Sequence, residues 1–302
     1  MDEMTLIQVL LTPEFVLQVS DRRLSAGGEA RDDSYNKAVS WCGMVSVAFT
    51  GGFAHVDYRC EEPVTEWIAG VLASAITLKD GADALEERMK ELMARLSKWR
   101  KYRDRRLTIV MAGIAPDYGT AFFRGLSNFE DGNQIFPNFS DTEVYRWGHE
   151  VPLHGNRTRY ITAGASPGSE LDRSVVGPKL ATVSQVGGVN NAARYMVRLQ
   201  RRVAERERKK GTNSVGEDAM VVSIPANLKR DGHGMLLMSN TDSDAVHGGS
   251  TANFSFVKAG SFSKDRFAPR LACDGRVSEF SAWGDGDNQV ITFRGIDPPA
   301  GR

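Results

Sequence analysis

Hydrophobic and polar positions along the chain change period several times, and each change marks an element. Residues 5–11 and 14–20 gather β-forming side chains on either side of Thr12-Pro13-Glu14-Phe15, which predicts a β-hairpin. Residues 38–50 predict a second strand pair, turning near Cys42-Gly43. The period then lengthens. Val64, Trp67, Ile68, Val71, Leu72 and Ile76 fall on one face of a helix over 62–76. Leu85, Met89, Leu92, Met93 and Leu96 mark a second helix over 82–103, with Gly81 as the break between the two. Residues 107–115 form an apolar run expected to be a fully buried strand, paired with 120–129 across Pro116-Asp117-Tyr118-Gly119. Strands are also expected at 144–151, 160–163 and 218–224. A third helix is expected over 190–210, with Ala193, Tyr195, Met196, Leu199 and Val203 on its apolar face. Beyond residue 230 glycine and serine become common, and strands at 252–257 and 289–293 predict a β-rich extension.

Strands, two helices, strands, a helix and a strand predict an α+β fold: two antiparallel sheets covered by helices. No internal repeat or low-complexity tract interrupts the order. A chain of 302 residues can bury a substantial core. Its 38 lysines and arginines balance 38 aspartates and glutamates, so charge gives no support to a nucleic-acid or membrane partner. Three widely spaced cysteines (Cys42, Cys60 and Cys273) suit a reducing compartment better than a disulfide framework, and none forms a Cys-x-x-Cys pair. No apolar run approaches the ~20 residues that span a bilayer, and Met-Asp-Glu-Met lacks the basic stretch of a secretory signal. The expectation is a cytoplasmic protein that needs no cofactor.

The candidate chemistry lies in four residues at regular intervals. Asp21 follows Thr5 by 16 residues, Lys37 follows Asp21 by 16, and Gly51 follows Lys37 by 14. Singly, each is ordinary: a strand threonine, a turn aspartate, a solvated lysine, a glycine turn. Jointly, with Ser20-Asp21-Arg22-Arg23 and Phe49-Thr50-Gly51-Gly52 around them, they resemble the proteasome β-type subunits and the bacterial ATP-dependent threonine peptidase, members of the N-terminal nucleophile (Ntn) hydrolases. The likeness is specific over residues 5–55 and looser to about 225. Ser97-Lys98-Trp99-Arg100 is also similar to the bacterial peptidase. The family's Gly-Ser-Gly-Ser turn reads Ala163-Gly164-Ala165-Ser166 here, and its later Asp-x-x-Ser-Gly region corresponds to 212–216 without the aspartate.

The resemblance implies a four-layer αββα sandwich over residues 1–230; residues 231–302 have no counterpart in the family and are expected to form a β-rich extension packed on the same domain. It implies a threonine hydrolase that cleaves peptide or other amide bonds. Thr5 serves as nucleophile and, through its own freed α-amine, as base; such an amine titrates near ~8 and accepts the hydroxyl proton. Lys37 tunes that amine, Asp21 holds Lys37, and the Gly51 amide faces the oxyanion. Arg23 helps to organise the strand end. A homo-oligomer is implied by analogy with the family's rings, and an ATP-dependent unfoldase is a candidate partner.

The chemistry requires Thr5 to be the first residue, whereas Met-Asp-Glu-Met precedes it. Self-cleavage of the Met4–Thr5 bond would expose it. So would translation from Met4 followed by removal of that methionine, which is the preferred expectation. Two other readings stand beside this one: a catalytically inactive Ntn-fold assembly or binding scaffold using residues 231–302, and a small-molecule amidase.

Weaker signals are read as structural. His55, His149, His154, His233 and His247 show no metal-ligand spacing. Cys42 is a candidate nucleophile by residue type, but its strand-end hydrophobic setting favours a structural thiol. The arginines ending the third helix alternate with glutamates, as on a solvated face. Asp242-Ser-Asp and Asp285-Gly-Asp-Asn288 match no calcium loop and read as acidic turns.

Overall fold

The computed structural model describes residues 5–23, 35, 37–57, 62–99, 102–115, 118–164, 171–212 and 214–226, together with the backbone of short strands at 24–32 and between 253 and 296. The chain opens with β1 (Leu6–Leu11) and β2 (Phe15–Asp21), then a small hairpin of β3 (Leu24–Ala26) and β4 (Glu29–Asp32). Next come β5 (Ala38–Trp41), β6 (Val45–Gly51) and a short pair, β7 (His55–Asp57) and β8 (Glu62–Pro63). Helices α1 (Val64–Ala73) and α2 (Leu78–Leu96) precede β9 (Leu107–Ala115), β10 (Thr120–Ser127), β11 (Tyr145–Pro152) and β12 (Arg159–Gly164). The long helix α3 (Arg173–Lys209) leads to β13 (Ala219–Pro225). Five strands follow: β14 (Asn253–Val257), β15 (Lys264–Asp265), β16 (Arg270–Cys273), β17 (Arg276–Trp283) and β18 (Val290–Ile296).

Two larger sheets result. One runs β12-β1-β2-β13-β14-β15 and the other β11-β10-β9-β6-β5-β16-β17-β18. Pairing is antiparallel throughout, except that β16 lies parallel to β5. The strands between 253 and 296 thus lengthen both sheets, β14 beside β13 and β16 beside β5. The period of two in the sequence explains how the core is divided. Along β1, Leu6 and Leu10 join a cluster with α3, while Ile7, Val9 and Leu11 join a cluster shared with Val110, Ala112 and Ile114 of β9. Along β9, Ile109 and Met111 turn the other way, onto α1 and α2. Both faces of β9 are therefore buried, as its apolar run, interrupted by Thr108, predicts. Among the described residues, three helices on mainly antiparallel sheets make an α+β fold compatible with a sandwich. Among the described residues no helix is long and apolar enough to cross a membrane.

Several helix boundaries differ from those expected. α1 stops at Ala73, which leaves Ile76 outside the helix and 92% exposed. The break comes from Thr77, not Gly81. The Thr77 side chain accepts from the Asp80 amide at 3.1 Å, and Asp80 accepts from the Thr77 amide at 3.2 Å, a reciprocal cap that starts α2. Gly81 is inside α2 because any side chain there would collide with the Trp41 ring. The helix also ends at Leu96, short of 103. α3 begins well before residue 190, at an Asp172 cap whose carboxylate accepts from the Ser174 amide at 2.8 Å. It bends at Gly188, where φ is +60°.

Candidate active site

The regular spacing of the four residues follows from hairpin geometry. Thr5 immediately precedes β1 and Asp21 ends β2, so the β1–β2 hairpin returns the chain to Thr5 after 16 residues. Lys37 immediately precedes β5, and Thr50-Gly51 ends β6, so the second hairpin likewise returns to Lys37. The open ends of two hairpins, one from each large sheet, meet at this point.

Lys37 joins them. Its Nζ donates to Thr5 Oγ1, to the Arg23 carbonyl and, at 2.9 Å, to Asp21 Oδ1. The ion pair is almost sealed, with side-chain exposures of 1% for Lys37 and 0% for Asp21. Asp21 is fixed by two backbone amides as well: Leu6 N–H donates to Oδ2 at 2.8 Å and Arg23 N–H to Oδ1 at 2.9 Å. Burial pushes the Asp21 carboxyl above its ordinary value, while Lys37 and these two amides pull it back. A carboxylate that accepts from an ammonium and two amides is an anchor, and the ammonium it anchors is aimed at a hydroxyl.

Thr5 is held on its other side by Thr50, whose Oγ1 donates to the Thr5 carbonyl at 3.1 Å. Gly51 follows Thr50 at the end of β6, opposite Leu107, where a Cβ would strike the Arg106 carbonyl. Gly52 is equally confined, by the Asp104 carboxylate, and its N–H donates to the Arg106 carbonyl at 2.9 Å. Close packing thus requires both glycines, independently of any oxyanion role. The structure bonds Thr5, Lys37 and Asp21 directly; Gly51 reaches them through its neighbour Thr50.

Arg23 contributes through its backbone, which both donates to Asp21 and accepts from Lys37. Its guanidinium reaches the Val215 carbonyl at 3.4 Å, so the 212–216 stretch lies beside the strand end that carries Asp21. Gln200 of α3 secures that stretch by donating to the Gly216 and Asp218 carbonyls at 3.0 and 2.9 Å.

Sequence reasoning assigned no role to Thr50, Thr108, Glu130 or Gly164. Glu130 is buried just beyond β10; its Oε1 accepts from Thr108 Oγ1 at 2.5 Å and from the Gly164 amide at 3.3 Å. Desolvation pushes its carboxyl up to about 7, against the pull of Thr108, Gly164 and Arg173. Gly164 has φ +87°, and a Cβ on it would overlap the Thr5 carbonyl oxygen. Thr50 lies within Phe49-Thr50-Gly51-Gly52 and Gly164 within Ala163-Gly164-Ala165-Ser166, but Glu130 in Asn128-Phe129-Glu130-Asp131-Gly132 gives only the signal of a turn.

The remaining candidates stand apart from this cluster. Cys42 occupies the β5–β6 turn with φ +49°, packed on the core beside α1 and α2. His149 stacks on Phe123, and burial with Arg159, Arg173 and Arg124 holds its imidazole below the ordinary range. The end of α3 carries ion pairs such as Lys209–Glu205 at 2.7 Å. Met1–Met4, Cys60, Cys273, His233, His247, Ser166 and the acidic turns at 242–244 and 285–288 lie outside the residues whose side chains are described. No family model and no curated protein matches the chain.

Proposed function

We propose that this chain is a proteasome-like threonine hydrolase of the Ntn class, with a four-layer αββα fold, that cleaves peptide or other amide bonds. The observation that carries the reading is the convergence of Thr5 Oγ1, Asp21 Oδ1 and the Arg23 carbonyl on one buried ammonium, Lys37 Nζ. A surface lysine gains little from an ion pair, and a buried one is costly unless several acceptors hold it. Aiming it at a hydroxyl suits a site where that oxygen must become a nucleophile. Support for the layering comes from the three core clusters: helices α1 and α2 on one sheet, α3 on the other, and an apolar layer between.

In the proposed reaction the Met4–Thr5 bond is first cut, leaving Thr5 with a free amine. Thr5 Oγ attacks the amide carbonyl carbon as the amine takes the hydroxyl proton. Lys37 favours the neutral amine and stabilises negative charge developing on Oγ. The carbonyl oxygen becomes an oxyanion facing the Gly51 amide. When the tetrahedral intermediate collapses, the C–N bond breaks and the leaving amine takes the proton from the Thr5 ammonium. Water activated by the same amine then hydrolyses the ester on Thr5 Oγ, restoring the site. Nothing in this scheme calls for a cofactor.

The test is a form of the full chain beginning at Thr5, made by cutting off a removable leader. It is offered short fluorogenic peptides and acylated small amines, which separate a peptidase from a small-molecule amidase. Hydrolysis lost in Thr5→Ala and in Lys37→Ala is expected. Hydrolysis equal in the parent and Thr5→Ala overturns the proposal by showing that Thr5 is not the nucleophile, and hydrolysis absent from both overturns it in favour of a scaffold.

A further inference from the structure

We infer that Glu130 is a positioning residue for Thr5, acting through the backbone of Gly164. The inference rests on the reading of Thr5 as nucleophile, and its geometry is independent of the Asp21–Lys37 pair. Glu130 Oε1 receives the Gly164 N–H at 3.3 Å. Gly164 lies opposite Leu6 in the β1–β12 register, so its backbone faces the start of β1. The missing side chain of Gly164 makes room for the Thr5 carbonyl, which Thr50 Oγ1 also holds, at 3.1 Å. Thr108, Glu130, Gly164 and Thr5 therefore form a continuous chain from β9 to the proposed nucleophile.

A merely structural role does not call for an acid at this position. A buried amide side chain could accept from Gly164 and from Thr108 without the desolvation penalty of a carboxyl. The carboxyl instead exists in two hydrogen-bonding states. Ionised, it accepts from both the Thr108 hydroxyl and the Gly164 amide, the stronger charge-assisted form. Protonated, it donates to Thr108 Oγ1, whose own O–H then donates to Ser127 Oγ at 2.8 Å, and the pull on Gly164 weakens. Four groups bias the choice. Arg173 at the start of α3, the Thr108 hydroxyl of β9 and the Gly164 amide favour the ionised form, while Asp131 on the same loop opposes it. Burial brings the balance to about pH 7, so the hold on the Gly164 amide changes in that range. Thr5 is thus seated more firmly as the pH rises, in the range where its freed amine also loses its proton.

The experiment follows the Gly164 amide and the Thr5 carbonyl carbon by NMR across pH 5.5 to 8.5, in the full chain and in Glu130→Gln. Both signals are expected to shift together with a midpoint near 7, and to stay flat in Glu130→Gln. Thr108→Val, which deletes one donor to the carboxylate, is expected to raise the midpoint and covers the case in which Glu130→Gln fails to fold. A Thr5 signal that does not follow Gly164, or a titration that persists in Glu130→Gln, overturns the inference whether or not any amide is hydrolysed. In the form beginning at Thr5, kcat at pH 8 is expected to fall on the order of tenfold to a hundredfold in Glu130→Gln with KM little changed. An unchanged kcat and pH profile would also overturn it.

Discussion

The buried pair Lys37–Asp21 makes a quantitative prediction that needs no substrate. Lys37→Met removes the cation and leaves a sealed carboxylate with only the Leu6 and Arg23 amides as donors. Breaking a buried ion pair by deleting one partner typically costs about 3–5 kcal/mol. Unfolding entropy of roughly 2.1 cal/mol/K per residue over 302 residues gives about 0.6 kcal/mol/K, so Tm should fall by about 5–8 °C. Asp21→Asn should destabilise similarly, because it removes the anionic partner of the buried ammonium and turns an amide N–H toward one of the two backbone donors. The double variant carries neither charge. It should therefore be less destabilised than the sum of the singles by about 2 kcal/mol or more, measured by urea unfolding at pH 8 in a double-mutant cycle. The cost of Lys37→Met should also shrink as pH falls, since Asp21 can then bury its proton. Strict additivity of the two single effects would refute the bonded pair.

Three further outcomes follow from the neighbouring geometry. Glu130 keeps its proton up to about pH 7 in the folded chain but loses it near 4.5 when unfolded, so stability should fall as pH rises through that window. The drop is about 3 kcal/mol; it should be missing from urea unfolding of Glu130→Gln, and equal slopes in the two proteins would contradict the burial. Gly164→Ala would place a methyl on the Thr5 carbonyl at a positive φ, and calorimetry should show a loss of at least about 1–3 kcal/mol; a neutral change would mean that β12 and β1 do not meet as described. Thr50→Val removes the hydroxyl that serves the Thr5 carbonyl and should cost about 1 kcal/mol in urea unfolding, with no loss counting against that bond.

The parts of this fold legible in the sequence are those whose contacts are local. The β1–β2 and β5–β6 hairpins gather β-forming apolar residues around short turns, and their lengths convert directly into the spacing of Thr5, Asp21, Lys37 and Gly51. Strand β9 was legible because both of its faces are buried. The first half of α3 was not. Gly177, Pro178, Gly187 and Gly188 read as breakers, and Val175 and Val186 are exposed, which blurs the apolar face. Gly81 misled for the opposite reason: Trp41 requires a glycine inside α2, and the boundary is set by Thr77. Glu130 was invisible because its partners Thr108 and Gly164 lie 22 and 34 residues away on other strands. The pairing of β16 with β5 joins segments more than two hundred residues apart, beyond any local pattern.

The central claim is that Thr5 acts as an N-terminal nucleophile, and the most direct measurement is the intact mass of the protein purified after expression from its own start. A species whose first residue is Thr5 is expected. A sole species that retains Met1 through Met4 would contradict it, because the amine that must take the Thr5 proton would then be locked in a peptide bond.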